Sequence, residues 1–234
     1  MNKKLKIILI VAIVLILAYA AFYLTDYYHA ETTVNDYLNG IENVSVVKED
    51  SKLFLNGPGN DTALIFYPGA KIEYVSYLPL LSEVANRGVD CYLVEMPFNI
   101  AFFNGNAADA IMDNTNHTRY VLAGHSLGGV TAASYMNSTG KADGLILLSA
   151  YPASKISKPV LSIYGSKDGV LDMEKYNESK ALMTNLTECV IDGGNHEQFA
   201  YYGTQSGDGI ATISPESQQM QTADKILEFI HGLP

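Results

Sequence analysis

At 234 residues the chain has room for one well-buried domain and not comfortably for two. Apolar residues make up 48% of it, which excludes a disordered chain. The 25 acidic residues outnumber the 15 basic ones, and no basic cluster stands out, which argues against nucleic acid and anionic polymers as partners.

The first element is hydrophobic. Lys3, Lys4 and Lys6 precede a run of 18 residues, Ile7 to Leu24, that holds no charge, Pro or Gly. At roughly 1.5 Å per residue such a helix can cross a hydrocarbon core, and it has no polar face to make it an amphipathic core helix. Two fates fit residues 1–24. They form a signal anchor that stays, or a signal peptide cleaved near Ala18-Tyr19-Ala20. The run is longer than the roughly 7–15 apolar residues of a cleaved signal, which favours the anchor. Lysines before it and Asp26, Glu31 and Asp36 after it leave the N-terminus cytoplasmic and the body of the protein outside. Cleavage would make the protein secreted instead.

Residues 25–43 read as a polar, Tyr-rich stalk, partly helical, and 44–234 as the folded domain. Val44–Lys48 and Lys52–Leu55 form a hairpin around Glu49-Asp50-Ser51. Ala63–Tyr67 is a short apolar run suited to a strand buried on both faces. Val75–Asn86 is a helix with Leu78, Leu81, Val84 and Ala85 on one stripe and Arg87-Gly88 as its stop. The pattern then alternates. Strand Cys91–Glu95 is followed by helix Ala107–Met112, strand Tyr120–Ala123 and helix Leu127–Met136. Strands Leu145–Leu148 and Val160–Tyr164 come next, then helix Met173–Met183, strand Glu188–Ile191, and a final helix Pro215–His231 with Pro in its first turn. Such alternation predicts a mostly parallel sheet with helices on both faces, whose ligands bind beyond the carboxyl ends of the strands. Cys91 and Cys189 fall in strands far apart in that sheet. An outside location permits a disulfide, but two free, buried thiols fit better.

Gly124-His125-Ser126-Leu127-Gly128 matches G-x-S-x-G between a strand and a helix, the setting that gives this pattern meaning. A strand turning sharply into a helix holds its Ser strained, with Oγ exposed, and only Gly fits two positions before and after. The amide of Leu127, at the helix start, has no intrahelical partner and can face developing negative charge. A second donor is expected from the turn after Ala63–Tyr67, where Ala70 is the candidate.

These stretches, GHSLGG together with the YPGA turn, YGSKDGV and GGNHEQF, resemble the α/β-hydrolase superfamily over residues 44–234. Small bacterial members of the dienelactone-hydrolase kind are the most similar. The resemblance implies an α/β-hydrolase fold and an acid and base in the order Ser, Asp, His. Among five histidines, His29 lies in the stalk, His125 cannot turn back onto its neighbour's Oγ, His117 precedes the elbow strand, and His231 ends the last helix. Only His196 follows the final strand on a glycine-rich loop. Asp168, after the Val160–Tyr164 strand, is the carboxylate expected to hold its imidazole, with Asp172, Asp192 and Asp143 as rivals.

The expected chemistry is acyl-enzyme cleavage of an ester-like, less readily amide-like, bond in a small or lipidic substrate. It needs no cofactor, since no zinc or calcium spacing and no dinucleotide motif occurs. Acyl transfer to an alcohol, or a non-catalytic binding protein on the same fold, are the alternatives. Only Ser149–Pro159 separates two strands where larger relatives insert a cap domain, so the site should be open and shaped by loops 96–103 and 199–214. The second of these would line a pocket or brace the His196 loop. Lys71 and Glu73 read as solvated surface charges.

Overall fold

The computed structural model describes residues 2–59 and 61–234; Met1, where the predicted anchor begins, lies outside them. The described residues form one eight-stranded sheet from β1 (Ser45–Glu49), β2 (Lys52–Asn56), β3 (Thr62–Tyr67), β4 (Asp90–Val94), β5 (Arg119–His125), β6 (Gly144–Leu148), β7 (Ile156–Gly165) and β8 (Met183–Ile191). Their order is β1-β2-β4-β3-β5-β6-β7-β8. The β1–β2 hairpin joins antiparallel, and every pair from β4 across to β8 is parallel. Six helices accompany it: α1 (Lys3–Thr25), α2 (Leu78–Asn86), α3 (Ala107–Met112), α4 (Leu127–Thr139), α5 (Met173–Ser179) and α6 (Pro215–His231).

The apolar run Ala63–Tyr67 of β3 explains the layering. Its side chains alternate, so Leu64 and Phe66 enter a core with Leu78 and Leu81 of α2 and Ile226 and Ile230 of α6. Ala63, Ile65 and Tyr67 enter the opposite core with Ile111 of α3 and Ala132 and Met136 of α4. These five residues of β3 are fully buried. Each large apolar side chain so buried contributes about 1.5–3 kcal/mol before conformational entropy is counted. No cap interrupts this scaffold: only residues 149–155 link β6 to β7.

Long-range pairing moves some predicted boundaries. The helix expected to run to Met183 ends at Ser179, and a 3-10 turn carries the chain into β8, which begins at Met183. Met183 pairs with Ile156 and is buried, a tertiary gain that overrides a helical pattern. Likewise β7 starts before Pro159, with a register shift between Ile156 and Pro159 that accommodates the missing amide. Residues 74–77 form a 3-10 turn ahead of α2.

Residues 26–43 do not stand off as a stalk. Val34 is buried in the α2 core layer, Tyr28 bridges to Ile72, and the Glu31 amide donates to the Tyr201 carbonyl at 2.9 Å. By contrast α1 has no buried residue and is long and apolar enough to cross a membrane. Cys91 in β4 and Cys189 in β8 are both free and five strands apart, about 24 Å at sheet spacing and well beyond disulfide reach. Cys91 is buried. Cys189 is only half-buried, because the edge strand β8 leaves much of its surface open.

Candidate active site

Four residues singled out in the sequence follow parallel strands at their carboxyl ends: Ala70 after β3, Ser126 after β5, Asp168 after β7 and His196 after β8. Ser126 sits between β5 and α4 at φ 51° and ψ −123°, a conformation that non-glycine residues rarely hold. The turn stays closed because backbone meets backbone. A Cβ on Gly124 would lie 2.5 Å from the Gly128 carbonyl carbon, and one on Gly128 would lie 2.1 Å from the Tyr67 oxygen. We therefore expect Gly128→Ala to destabilise the fold by about 1–3 kcal/mol or more. Thermal unfolding checks this; a variant melting like the wild type would mean the β3 turn does not press on α4.

His196 and Asp168 are brought together. His196 Nδ1 lies 3.0 Å from Asp168 Oδ2, with both side chains almost wholly buried. Asp168 Oδ1 also accepts from the amides of Val170 at 2.9 Å and Leu171 at 2.8 Å. Burial by itself would raise the Asp168 pKa, but the His196 hydrogen bond and charge, with the Leu171 amide, outweigh it and hold the carboxyl at about 2. The rivals are occupied elsewhere. Asp172 caps α5 through the Lys175 amide, Asp192 accepts from the Ser166 hydroxyl, and Asp143 accepts from the Tyr120 amide. The other histidines stand apart from this pair, except His125.

His125 is a residue whose part the sequence did not reveal. Its ring is fully buried and packs 4.5 Å, centroid to centroid, from the ring of His196. Its Nδ1 lies 2.7 Å from the Tyr77 hydroxyl, which accepts from the Gly69 amide at 3.1 Å. The Tyr77 hydroxyl, with one proton to give and two lone pairs to accept with, thus bridges the Gly69 amide and the His125 ring. Burial, with the adjacent His196, pushes the His125 pKa well below its ordinary value and keeps the ring neutral. The elbow and the β3 turn are thus tied by a buried hydrogen-bonded relay. Leu127, first in α4, and Ala70, on that turn, carry the two amides expected to face an oxyanion.

A cleft of about 230 Å³ is lined by Ser126, Leu127 and His196 together with Val130, Ser149, Ala150, Tyr151, Val170, Leu171 and Asp172. The walls therefore come from α4, the short β6–β7 link and the 168–172 turn, not from the two loops expected to shape it. Loop 199–214 braces instead. Asp208 accepts from the amides of Gly169 and Glu197, each at 2.9 Å, and Asn195 donates to the Gly209 carbonyl at 2.9 Å. Asp208 thereby clamps the Asp168 turn to the His196 loop; nothing in its local sequence marks it. Lys71 and Glu73 are likewise engaged, Lys71 with Asp26 at 3.0 Å and Glu73 with the Ala30 amide at 2.9 Å. A larger cleft, about 510 Å³, lies against β8 and the end of α6 and contains none of these groups. Among the described residues, no cluster of His, Cys, Asp and Glu could hold a metal ion.

The model of the alpha/beta hydrolase family matches residues 63–220. No curated protein matches the chain significantly. Among solved structures, a dienelactone hydrolase from Anabaena variabilis superposes with a TM-score of 0.63 at 13% identity, over 82% of this chain and 100% of that one. A membrane phospholipase A, described as a bacterial virulence factor, gives 0.60 at 14% identity over 96% and 98%. A ferulic acid esterase from Streptomyces cinnamoneus gives 0.61 at 18% identity over 76% and 68%. At these identities the likeness is one of fold.

Proposed function

The chain belongs to the alpha/beta hydrolase family, and from that premise we propose that it is a serine hydrolase with Ser126 as nucleophile, His196 as general base and Asp168 as the carboxylate that orients it. One observation carries this reading. His196 Nδ1 is held by the buried Asp168, while its Nε2, also buried, has no hydrogen-bond partner among the described residues and lines the cleft beside Ser126. An unpaired buried nitrogen costs about 1–3 kcal/mol, and a role in proton transfer explains its retention.

In the proposed reaction Ser126 Oγ attacks an acyl carbonyl as its proton passes to His196 Nε2. The Leu127 and Ala70 amides hold the oxyanion, aided by the N-terminal end of α4. His196 then gives its proton to the departing alcohol. A water, deprotonated by His196, releases the acid and restores the serine. Val130, Ala150, Val170 and Leu171 offer an apolar wall for an acyl group, which suits an ester of a small or lipidic acid without any cofactor. The likeness to a membrane phospholipase A across nearly the whole chain supports the lipidic side of that range. With α1 as an anchor and its lysines inside, the domain works outside the cytoplasm.

A fluorophosphonate probe should label the protein once, on Ser126 by peptide mapping. His196→Ala should slow labelling by about 100-fold or more. Label on another serine, or none, would overturn the assignment. Chain-length series of p-nitrophenyl esters would then define the acyl group.

A further inference from the structure

Outside α1, four large apolar side chains among the described residues are more than half exposed: Ile210 at 90%, Phe102 at 63%, Phe103 at 59% and Phe98 at 57%. None of them lines the Ser126 cleft itself, but the loop that carries the phenylalanines forms an aromatic rim beside the turn that holds Ala70, since the amide of Lys71, the next residue, is hydrogen-bonded to Asn99. The three phenylalanines lie on the connection after β4, and Ile210 lies on the loop that Asp208 clamps to the Asp168 turn. Phe98 and Asn99 both hold positive φ, 55° and 54°, so this connection is strained into a fixed shape, and Phe98 packs edge-on against Phe103.

Lys71 fixes where this rim stands relative to α1. Its ammonium is 3.0 Å from Asp26, the residue capping α1, and 4.2 Å above the Tyr23 ring in the last turn of that helix. Its amide donates to the Asn99 carbonyl at 2.7 Å. A tyrosine at the end of a membrane-spanning helix marks headgroup depth. One lysine side chain therefore separates that depth from the backbone that carries Phe98. The adjoining chain does not let the domain swing away, since Tyr28 bridges to Ile72 and the Ala30 amide is held by Glu73.

We propose that the Phe98–Phe102–Phe103 rim inserts into the leaflet from which α1 emerges, and that the site draws its substrate, a fatty-acyl ester resident in the bilayer, directly from that leaflet. The docking rests on α1 as a span, and the substrate class on the serine-hydrolase reading above. The partner is lipid because the rim is apolar, aromatic and continuous with a segment built for the bilayer. Charge does not supply the attraction: all 25 acidic residues follow the hydrophobic run, as do all but three of the 15 basic ones. The contact should therefore form on neutral phosphatidylcholine and persist in high salt. At about 230 Å³ the cleft is smaller than pockets that enclose whole ligands, so most of a long acyl chain would stay in the leaflet.

The protein has no tryptophan, so Phe102→Trp gives a single reporter in the full chain reconstituted into phosphatidylcholine vesicles. Its emission should shift to the blue and fall about twofold or more with brominated acyl chains, with little quenching by aqueous acrylamide. Emission of a water-exposed indole, untouched by brominated lipid, overturns the docking whatever the activity. In the second arm, Phe98→Ser, Phe102→Ser and Phe103→Ser are combined. This variant should hydrolyse p-nitrophenyl acetate in water within about twofold of wild type, and p-nitrophenyl palmitate dissolved in the vesicles about tenfold or more slowly. Equal loss on both esters, or on neither, overturns delivery from the leaflet. If wild type cleaves neither ester, the hydrolase reading fails and the substrate assignment with it, while the quenching result still decides the docking.

Discussion

Replacing Ser126 with alanine is expected to lower kcat for ester hydrolysis by about 10⁴- to 10⁶-fold while leaving the fold intact. The size follows from what is lost. Without Oγ no acyl-enzyme forms, and the remaining oxyanion donors can assist only attack by water. Alanine keeps the Cβ that makes φ 51° costly, so its stability should match wild type. Glycine removes that Cβ, and relief of strain worth about 1–3 kcal/mol offsets the roughly 0.4–1 kcal/mol that glycine loses to a freer unfolded chain. Ser126→Gly should therefore be as inactive as Ser126→Ala and at least as stable. Steady-state kinetics and thermal melts on the three proteins check both points. A Ser126→Ala enzyme with a tenth of wild-type kcat would end the nucleophile assignment.

Asp168→Asn should cost about 10⁴-fold in kcat, although the two side chains have the same shape. Asp168 Oδ1 takes the amides of Val170 and Leu171, so an asparagine must keep its oxygen there and turn its NH₂ toward His196. That NH₂ requires an unprotonated Nδ1, which places the imidazole proton on Nε2, where the base must be vacant. The same substitution should change the pH dependence of stability. The folded pKa of about 2 lies below the ordinary 3.8, so the carboxylate contributes stability that is fully present above pH 3.8. That contribution is lost as pH falls through 2, and its size is about 2 kcal/mol for this buried group. Urea unfolding of the two proteins should differ by about that amount at pH 5–7 and converge toward pH 2. A gap that stays constant would mean that Asp168 is not held ionised by its surroundings.

Patterns confined to a few neighbouring residues are legible in the sequence. The apolar run of β3, the bounds of α3 and α6 and the glycines around Ser126 each record a local demand: burial on two faces, a helix stop, or a turn with no space for a Cβ. The resemblance to a hydrolase family rested on the same stretches and singled out Asp168 and His196 among their rivals. The end of α5 was not legible, because Met183 joins β8 only once Ile156 lies beside it. Nor was the role of His125, since its partner Tyr77 is 48 residues away. Residues 25–43 read as a stalk because their polarity is local, whereas the core surface that receives Val34 is assembled from distant segments.

By itself, then, the sequence determined an apolar N-terminal helix, an alternation that forces a parallel sheet, and the chemical types waiting at the ends of four strands. Those features follow from periodicity and from steric rules that act within a turn or two of chain. Only the tertiary structure decided that His196 meets Asp168 and not another carboxylate, that loop 199–214 clamps and does not line, and that Lys71 joins α1 to the loop that carries Phe98. Each of these is a contact between residues far apart in the chain, created when the two cores close on the sheet and fix which loop ends become neighbours.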